Sequence, residues 1–239
     1  MSIGSSSSRT RCSLAKILAT SRGTIATSSL SCTGRTGPRD LLGPRFRRVS
    51  IAVWTGSFMG LLLVYGLNTW LPQLMRGAGY PISTSVGLLL VLNIGAVLGL
   101  VLAGMIADRR GIPPIVRLWF GAGAVLLAVL SLRIGSSVLL NALVLLTGVF
   151  VFSAQVLIFG YVTQAFPARA RGTALGLTSA VGRLGSIVGP FITGALVTAG
   201  VANPWGFWFF AVVAALGLGA VSLLRRLPAD STADAPALR

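Results

Sequence analysis

The chain has 239 residues, of which 54% are hydrophobic and only 10% charged, with a mean hydropathy of +0.85. Soluble domains carry about 25% charged residues, so this composition excludes an ordinary soluble enzyme and describes an integral membrane protein. The net charge of +16 does not make it a nucleic-acid binder, because its arginines are scattered between apolar stretches and form no soluble basic face.

Residues 1–45 form a Ser/Arg-rich leader with no periodic apolar face and a single acid, Asp40. The segment lacks the continuous apolar core of a signal peptide, and its acid-poor make-up loosely resembles a transit peptide. A disordered leader, or a start site placed outside the true reading frame, explains the same composition. Cys12 and Cys32 both lie here, so neither a disulfide framework nor a thiolate metal site is implied for the apolar region. Histidine is absent, which removes the commonest proton shuttle near neutral pH.

From about Val49 the chain becomes a series of apolar stretches, each long enough to cross ~30 Å of hydrocarbon as a helix. The first runs from Ser50 to Leu71 and ends at Pro72. The second runs from Ser83 to Ala107, and the third from Pro114 to Leu132 behind the Pro113-Pro114 pair. Ser137 to Gln164 is the fourth, Gly172 to Ala199 the fifth and Trp205 to Leu224 the sixth, closed by Arg225-Arg226. The sequence thus predicts an all-α membrane protein of six transmembrane helices over residues 46–226, followed by a short cytoplasmic tail, 227–239. Arg45, Arg47, Arg48, Arg109, Arg110, Arg117, Arg169, Arg171, Arg225 and Arg226 collect on one side, against Arg76 and Arg133 on the other. That bias places both termini in the cytoplasm, and an even number of spans requires the same. The expected location is the plasma (inner) membrane, with the lipid bilayer as solvent.

Small residues recur at helix-packing spacing in Gly95-x-x-x-Gly99, Gly172-x-x-x-Gly176 and Gly185-x-x-x-Gly189, the pattern that lets membrane helices approach closely. Trp54, Phe58, Trp70 and Trp205 are expected as lipid or interface anchors.

Few polar groups interrupt the spans, and they are the candidate binding residues. Arg183 stands near the middle of the fifth, where a guanidinium cannot shed its proton and costs about 2.5–3.5 kcal/mol to insert. Such a residue meets either a substrate carboxylate or, as a structural arginine, carbonyls or an acid from a partner. Ser179 and Ser186 share its face. Tyr65 and Asn68, three residues apart beside Gly66, either line a cavity or hold helices together, and Asn93 is open to the same two readings. No Asp, Glu or His lies inside any span. There is no phosphate loop, no metal-ligand cluster and no nucleophile with an activating base, so neither an enzyme nor a resident cofactor is expected.

The second span ends in Gly104-Met-Ile-Ala-Asp108-Arg109-Arg110-Gly111, a tight turn in which Asp108 is placed to accept hydrogen bonds from a neighbouring helix N-terminus. This turn resembles the Gly-x-x-x-Asp-Arg-x-Gly loop of the major facilitator superfamily, a cytoplasmic gating loop there. The family's downstream basic residues are replaced by Ile112-Pro113-Pro114, which predicts a weaker latch. Tyr65-Gly-Leu-Asn-Thr-Trp-Leu-Pro-Gln-Leu-Met75 resembles the seventh helix of the aromatic acid:proton symporter branch. Phe166-Pro-Ala-Arg-Ala-Arg171-Gly-Thr-Ala-Leu-Gly176, with Gly182-Arg183-Leu-Gly185 and Gly189-Pro190, resembles its tenth-to-eleventh helix region, with Phe166 and Ala174 as departures. The resemblance implies the C-terminal six-helix half of a twelve-helix bundle whose substrate site lies between the halves. It implies transport of small organic anions, aromatic carboxylates above all, coupled to protons in the full-length family. It also adds Gln155 to the candidates, because the family carries a glutamine there. Three states of such a chain stay open: a half needing a separate N-terminal partner, a self-pairing carrier, and an inactive remnant.

Overall fold

A computed structural model describes residues 46–77, 79, 81–132, 136–200 and 202–224. The expected leader and tail lie outside these residues. The chain divides into Met1–Arg35 and Thr36–Arg239, and every described residue belongs to the second unit.

Among the described residues six helices follow one another: α1 Arg47–Gly77, α2 Ile82–Arg110, α3 Ile112–Leu130, α4 Ser137–Ala165, α5 Ala168–Thr198 and α6 Ala202–Ser222. Each is long and apolar enough to cross a membrane. Hydrocarbon offers backbone groups no water, so a continuous helix, which satisfies them internally, is the form such stretches take. The expected end of the first span at Pro72 is passed: α1 runs on to Gly77 with Pro72 inside it. The proline removes one N–H and leaves the Asn68 carbonyl without its helical donor, a defect that packed membrane helices accommodate. Pro190 sits inside α5 in the same way.

The links are short. Gly111 separates α2 from α3 at φ 80°, ψ 154°, close to a region essentially only glycine adopts. Its N–H still reaches the Ala107 carbonyl at 2.9 Å. Pro113 and Pro114 then occupy the first turn of α3, where a missing N–H costs no helical bond. Phe166 and Pro167 turn α4 into α5, and the Phe166 ring lies 5.6 Å from that of Phe46. The start of α1 and the α2–α3 and α4–α5 links therefore share one end, which carries Arg47, Arg48, Arg109, Arg110 and Arg171.

The bundle is organised by two extensive helix pairings, α1 with α5 and α2 with α4, supported by α3 with α6, α1 with α6 and α3 with α4. This set is unchanged when α1, α2 and α3 are exchanged for α4, α5 and α6, the signature of a nested inverted repeat. Glycines make both main pairings. A Cβ on Gly185 would collide with the Phe58 carbonyl, and one on Gly189 would stand 2.7 Å from the Leu62 carbonyl. In the other pair, Cβ atoms on Gly95 and Gly99 would strike the Leu145 and Val149 carbonyls, and one on Gly148 the Leu92 carbonyl. Two of the three expected glycine motifs thus pack helix on helix. The third does not: Gly172 and Gly176 have nothing within 4 Å of a Cβ, because that face of α5 is uncovered.

Apolar side chains fill the space around these crossings, with Leu63, Leu67 and Leu71 of α1, Tyr161 of α4 and Phe207 and Phe210 of α6 fully buried. Trp54, Phe58 and Trp70, expected as lipid anchors, are partly buried against this core. Trp70 lies over Gly194, whose missing side chain makes room for the indole. Trp205 alone of the four is largely open, at 63%.

Substituting the crossing glycines tests this packing. Gly99→Val and Gly185→Val should each lower unfolding stability by about 1–3 kcal/mol, because backbone atoms must move apart. Gly87→Ala, with open space around it, should be neutral. Equal thermal unfolding of the three purified variants in detergent would contradict it.

Candidate functional site

The five candidate binding residues fall into different surroundings. Gln155 of α4 is buried at 5% exposure. Its Nε2 donates to Ser57 Oγ at 3.0 Å, and Ser57 Oγ donates in turn to the Thr178 carbonyl at 3.2 Å. This chain ties α4, α1 and α5 together at one level. Gln155 Oε1 is buried and accepts no hydrogen bond, lying against Gly60 where any side chain would collide with it. A buried amide oxygen left unpaired costs about 1–3 kcal/mol, a cost that a sequence selected for stability alone avoids with Leu or Met.

Asn68 and Asn93 are brought together. Asn68 Nδ2 donates to the Val64 carbonyl at 3.0 Å, while its Oδ1 accepts from Asn93 Nδ2 at 3.2 Å. Asn93 also donates to the Leu89 carbonyl at 2.8 Å, so one amide bridges α2 to α1. Tyr65 is 49% exposed and takes no part in this pair.

Arg183 lies midway along the 31-residue α5, about 22 Å from either end at 1.5 Å per residue. It is exposed on the stripe of Gly176, Ala180, Ile187 and Phe191, and its guanidinium has no hydrogen bond or ion pair among the described residues. Ser186 bonds inward to the Arg183 carbonyl at 2.7 Å and so offers its proton to the backbone rather than outward. α5 and α2 are the two least covered helices.

At the α2–α3 link, Gly104, Asp108, Arg109 and Gly111 are all exposed. The expected acceptance of helix N–H groups by Asp108 is not made, since Asp108 has no hydrogen bond or ion pair among the described residues. The residues of the turn are in place, but no latching contact is made among the described residues. Arg117, one turn into α3, bonds instead to the Pro113 carbonyl at 3.2 Å.

Sequence reasoning missed Ser57, Thr178 and the bond from Trp119 Nε1 to Ser153 Oγ at 2.6 Å. Serines and threonines in apolar helices usually bond their own preceding turn, as Thr178 and Thr193 do here, so nothing in the sequence marks Ser57 as the one that crosses between helices. An open groove of about 620 Å³ between α5 and α6 is lined by Ile192, Leu196, Trp205, Trp208, Phe209 and Val212. It is almost wholly apolar and contains none of the candidate residues.

The description Major Facilitator Superfamily belongs to the family model that matches residues 16–190 and again residues 117–238. The chain belongs to that superfamily. It is 38% identical over 192 residues to the gentisate transporter of Corynebacterium glutamicum, covering 80% of this chain and 43% of that protein. To the benzoate transport protein of Acinetobacter baylyi it is 34% identical over 171 residues, 72% of this chain and 36% of the other. A gallate transporter of Pseudomonas putida is 30% identical over 213 residues, 87% of this chain and 47% of that one. The chain therefore spans less than half the length of these relatives. They are transporters of aromatic acids and not enzymes, and membership with six apolar helices makes this a multi-pass membrane protein, consistent with the plasma-membrane location expected above.

The Gln155–Ser57 bond and the asparagine pair both yield to mutation tests. Ser57→Ala should lower stability by about 1–3 kcal/mol by leaving the Gln155 amide without its acceptor, and adding Gln155→Leu should recover part of that loss. Strict additivity in a chemical unfolding assay would refute this. Asn68→Ala and Asn93→Ala should be coupled by about 0.6 kcal/mol, the usual size for interhelical bonds in membranes, in a double-mutant cycle read the same way.

Proposed function

We propose that the chain is the C-terminal six-helix half of a secondary transporter for small aromatic carboxylates, with Arg183 as the residue that meets the carboxylate. The observation that carries this reading is an obligate cation, midway along an apolar helix, exposed and without an internal partner. Charges in such positions face substrate pathways or cavities, and a planar guanidinium matches a carboxylate with two parallel hydrogen bonds. The names of the relatives, gentisate, benzoate and gallate transporters, supply the class of anion. Arg183 shares its helix face with glycine and alanine, which leaves room beside it for a flat ring.

The arginine-rich end faces the cytoplasm in this reading, by the positive-inside rule. Among the described residues the one acid in a spanning helix is Asp108, in the last turn of α2 at the arginine-rich end and away from mid-membrane, so proton coupling relies on acids supplied by an N-terminal half. That half also covers the open faces of α2 and α5. Self-pairing is disfavoured because two copies of Arg183 would face one cavity without an acid between them.

Uptake of radiolabelled benzoate or gentisate decides the matter. It should be absent from vesicles holding this chain alone and appear when the N-terminal half of the Corynebacterium glutamicum relative is co-expressed. Arg183→Gln should then reduce uptake by roughly 10–100-fold, the loss of a charged hydrogen bond, with Arg183→Lys intermediate. Benzamide, which has the ring without the charge, should not compete. Full uptake by Arg183→Gln would refute the role of the arginine, and no uptake with the partner half would favour an inactive remnant.

A further inference from the structure

The two glycine crossings fix a residue-by-residue register between the halves of the inverted repeat. Gly185 on Phe58 and Gly189 on Leu62 correspond to Gly95 on Leu145 and Gly99 on Val149. Two further contacts keep the same register. Gly182 against Leu61 matches Leu92 against Gly148, with the glycine moved to the opposite helix. Phe210 over Gly66 matches Trp119 over Ser153, where the larger ring system gains a hydrogen bond.

This register carries the candidate residues onto one another. Asn68 stands six residues after Leu62, and Gln155 six residues after Val149; Asn93 stands six before Gly99, and Arg183 six before Gly189. Asn68 therefore corresponds to Gln155 and Asn93 to Arg183. The Asn68 and Asn93 positions lie on the far side of the crossings, and those of Gln155 and Arg183 on the arginine-rich side. The four residues form two polar stations related by the repeat. In this structure the outer station is closed, with Asn93 Nδ2 bonded to Asn68 Oδ1. The inner station is open: Gln155 is turned toward Ser57, its Oε1 has no partner, and Arg183 has none either.

We infer that Gln155 is the internal acceptor for Arg183. When no anion is bound, the inner station closes by a bond from the guanidinium to Gln155 Oε1, the counterpart of the Asn93–Asn68 bond, and a substrate carboxylate displaces it. Two orphaned groups, a buried acceptor and an unpartnered donor, then satisfy one another. Ser57 holds the amide in its other position while the station is open. The bond lets the empty carrier reorient without an unpaired cation in hydrocarbon, and Gln155 acts through Arg183 as a positioning residue. This inference rests on the transport reading for its role, while the contact itself is independent of it.

Two experiments separate these parts. In a Cys12→Ser, Cys32→Ser background, the double variants Asn68→Cys/Asn93→Cys and Gln155→Cys/Arg183→Cys are oxidised in membranes and their free thiols counted by mass. Both pairs should form disulfides. A disulfide needs Cα atoms within about 7 Å, so the inner pair tests whether the two stations correspond. Outer without inner overturns that correspondence and the contact inferred from it, and failure of the outer pair overturns the register behind both. The second experiment uses the transporter assembled with its N-terminal half and compares net uptake of benzoate with benzoate exchange, which bypasses the empty carrier. Gln155→Leu should lower the ratio of net uptake to exchange about tenfold, and Gln155→Asn should restore part of it. A proportional loss of both activities overturns the role of Gln155. Absence of all transport by the parent protein, with the inner disulfide formed, defeats the transport reading and that role while the contact stands.

Discussion

Lipid chains are as apolar as leucine, so the helices of this bundle gain little by hiding from their solvent and must be held by close contact. Everything else depends on how near the backbones of α1 and α5, and of α2 and α4, can come. Glycines at 185 and 189, and at 95, 99 and 148, remove the Cβ atoms that would keep them apart. The approach sets the depth at which each polar residue lies, and it aligns the two halves of the repeat. It also brings Ser57, Gln155 and the Thr178 carbonyl to one level, so that a few hydrogen bonds link three helices.

On this frame the polar side chains divide by state more than by kind. The asparagine pair is satisfied, while the glutamine and arginine that correspond to it are not. A structure stabilised throughout would leave neither a buried amide oxygen nor a guanidinium unpaired. In the transport reading proposed above, two such defects at related positions are the cost of a site that must accept an anion and later release it. The turn around Asp108, with no latching contact among the described residues, fits the same picture of a bundle held by its crossings.

Much of this was legible in the sequence. The six spans follow from hydropathy and length, and the motifs around Asp108, Tyr65 and Arg183 pointed to the superfamily that the comparisons established. The helix ends were less legible. Pro72 reads as a stop, yet α1 continues, because a proline in a packed membrane helix loses one bond without ending the rest. Trp54 and Trp70 read as lipid anchors, since hydropathy does not separate a face turned to lipid from a face turned to a neighbouring helix.

The sequence by itself determined that the chain is a six-helix membrane bundle of this superfamily and that Arg183 is the one charge deep inside a span, because length, hydropathy and obligate ionisation are local properties. Which polar groups meet was decided only by the tertiary structure. The repeat is only partly visible in the residues: the Gly-x-x-x-Gly pair recurs on α2 and α5, but a further crossing glycine stands on α5 in one pairing and on α4 in the other, tryptophan stands where phenylalanine does, and asparagines stand where glutamine and arginine do. What is repeated is the backbone approach, and residues far apart in the chain acquire their partners only when the helices cross.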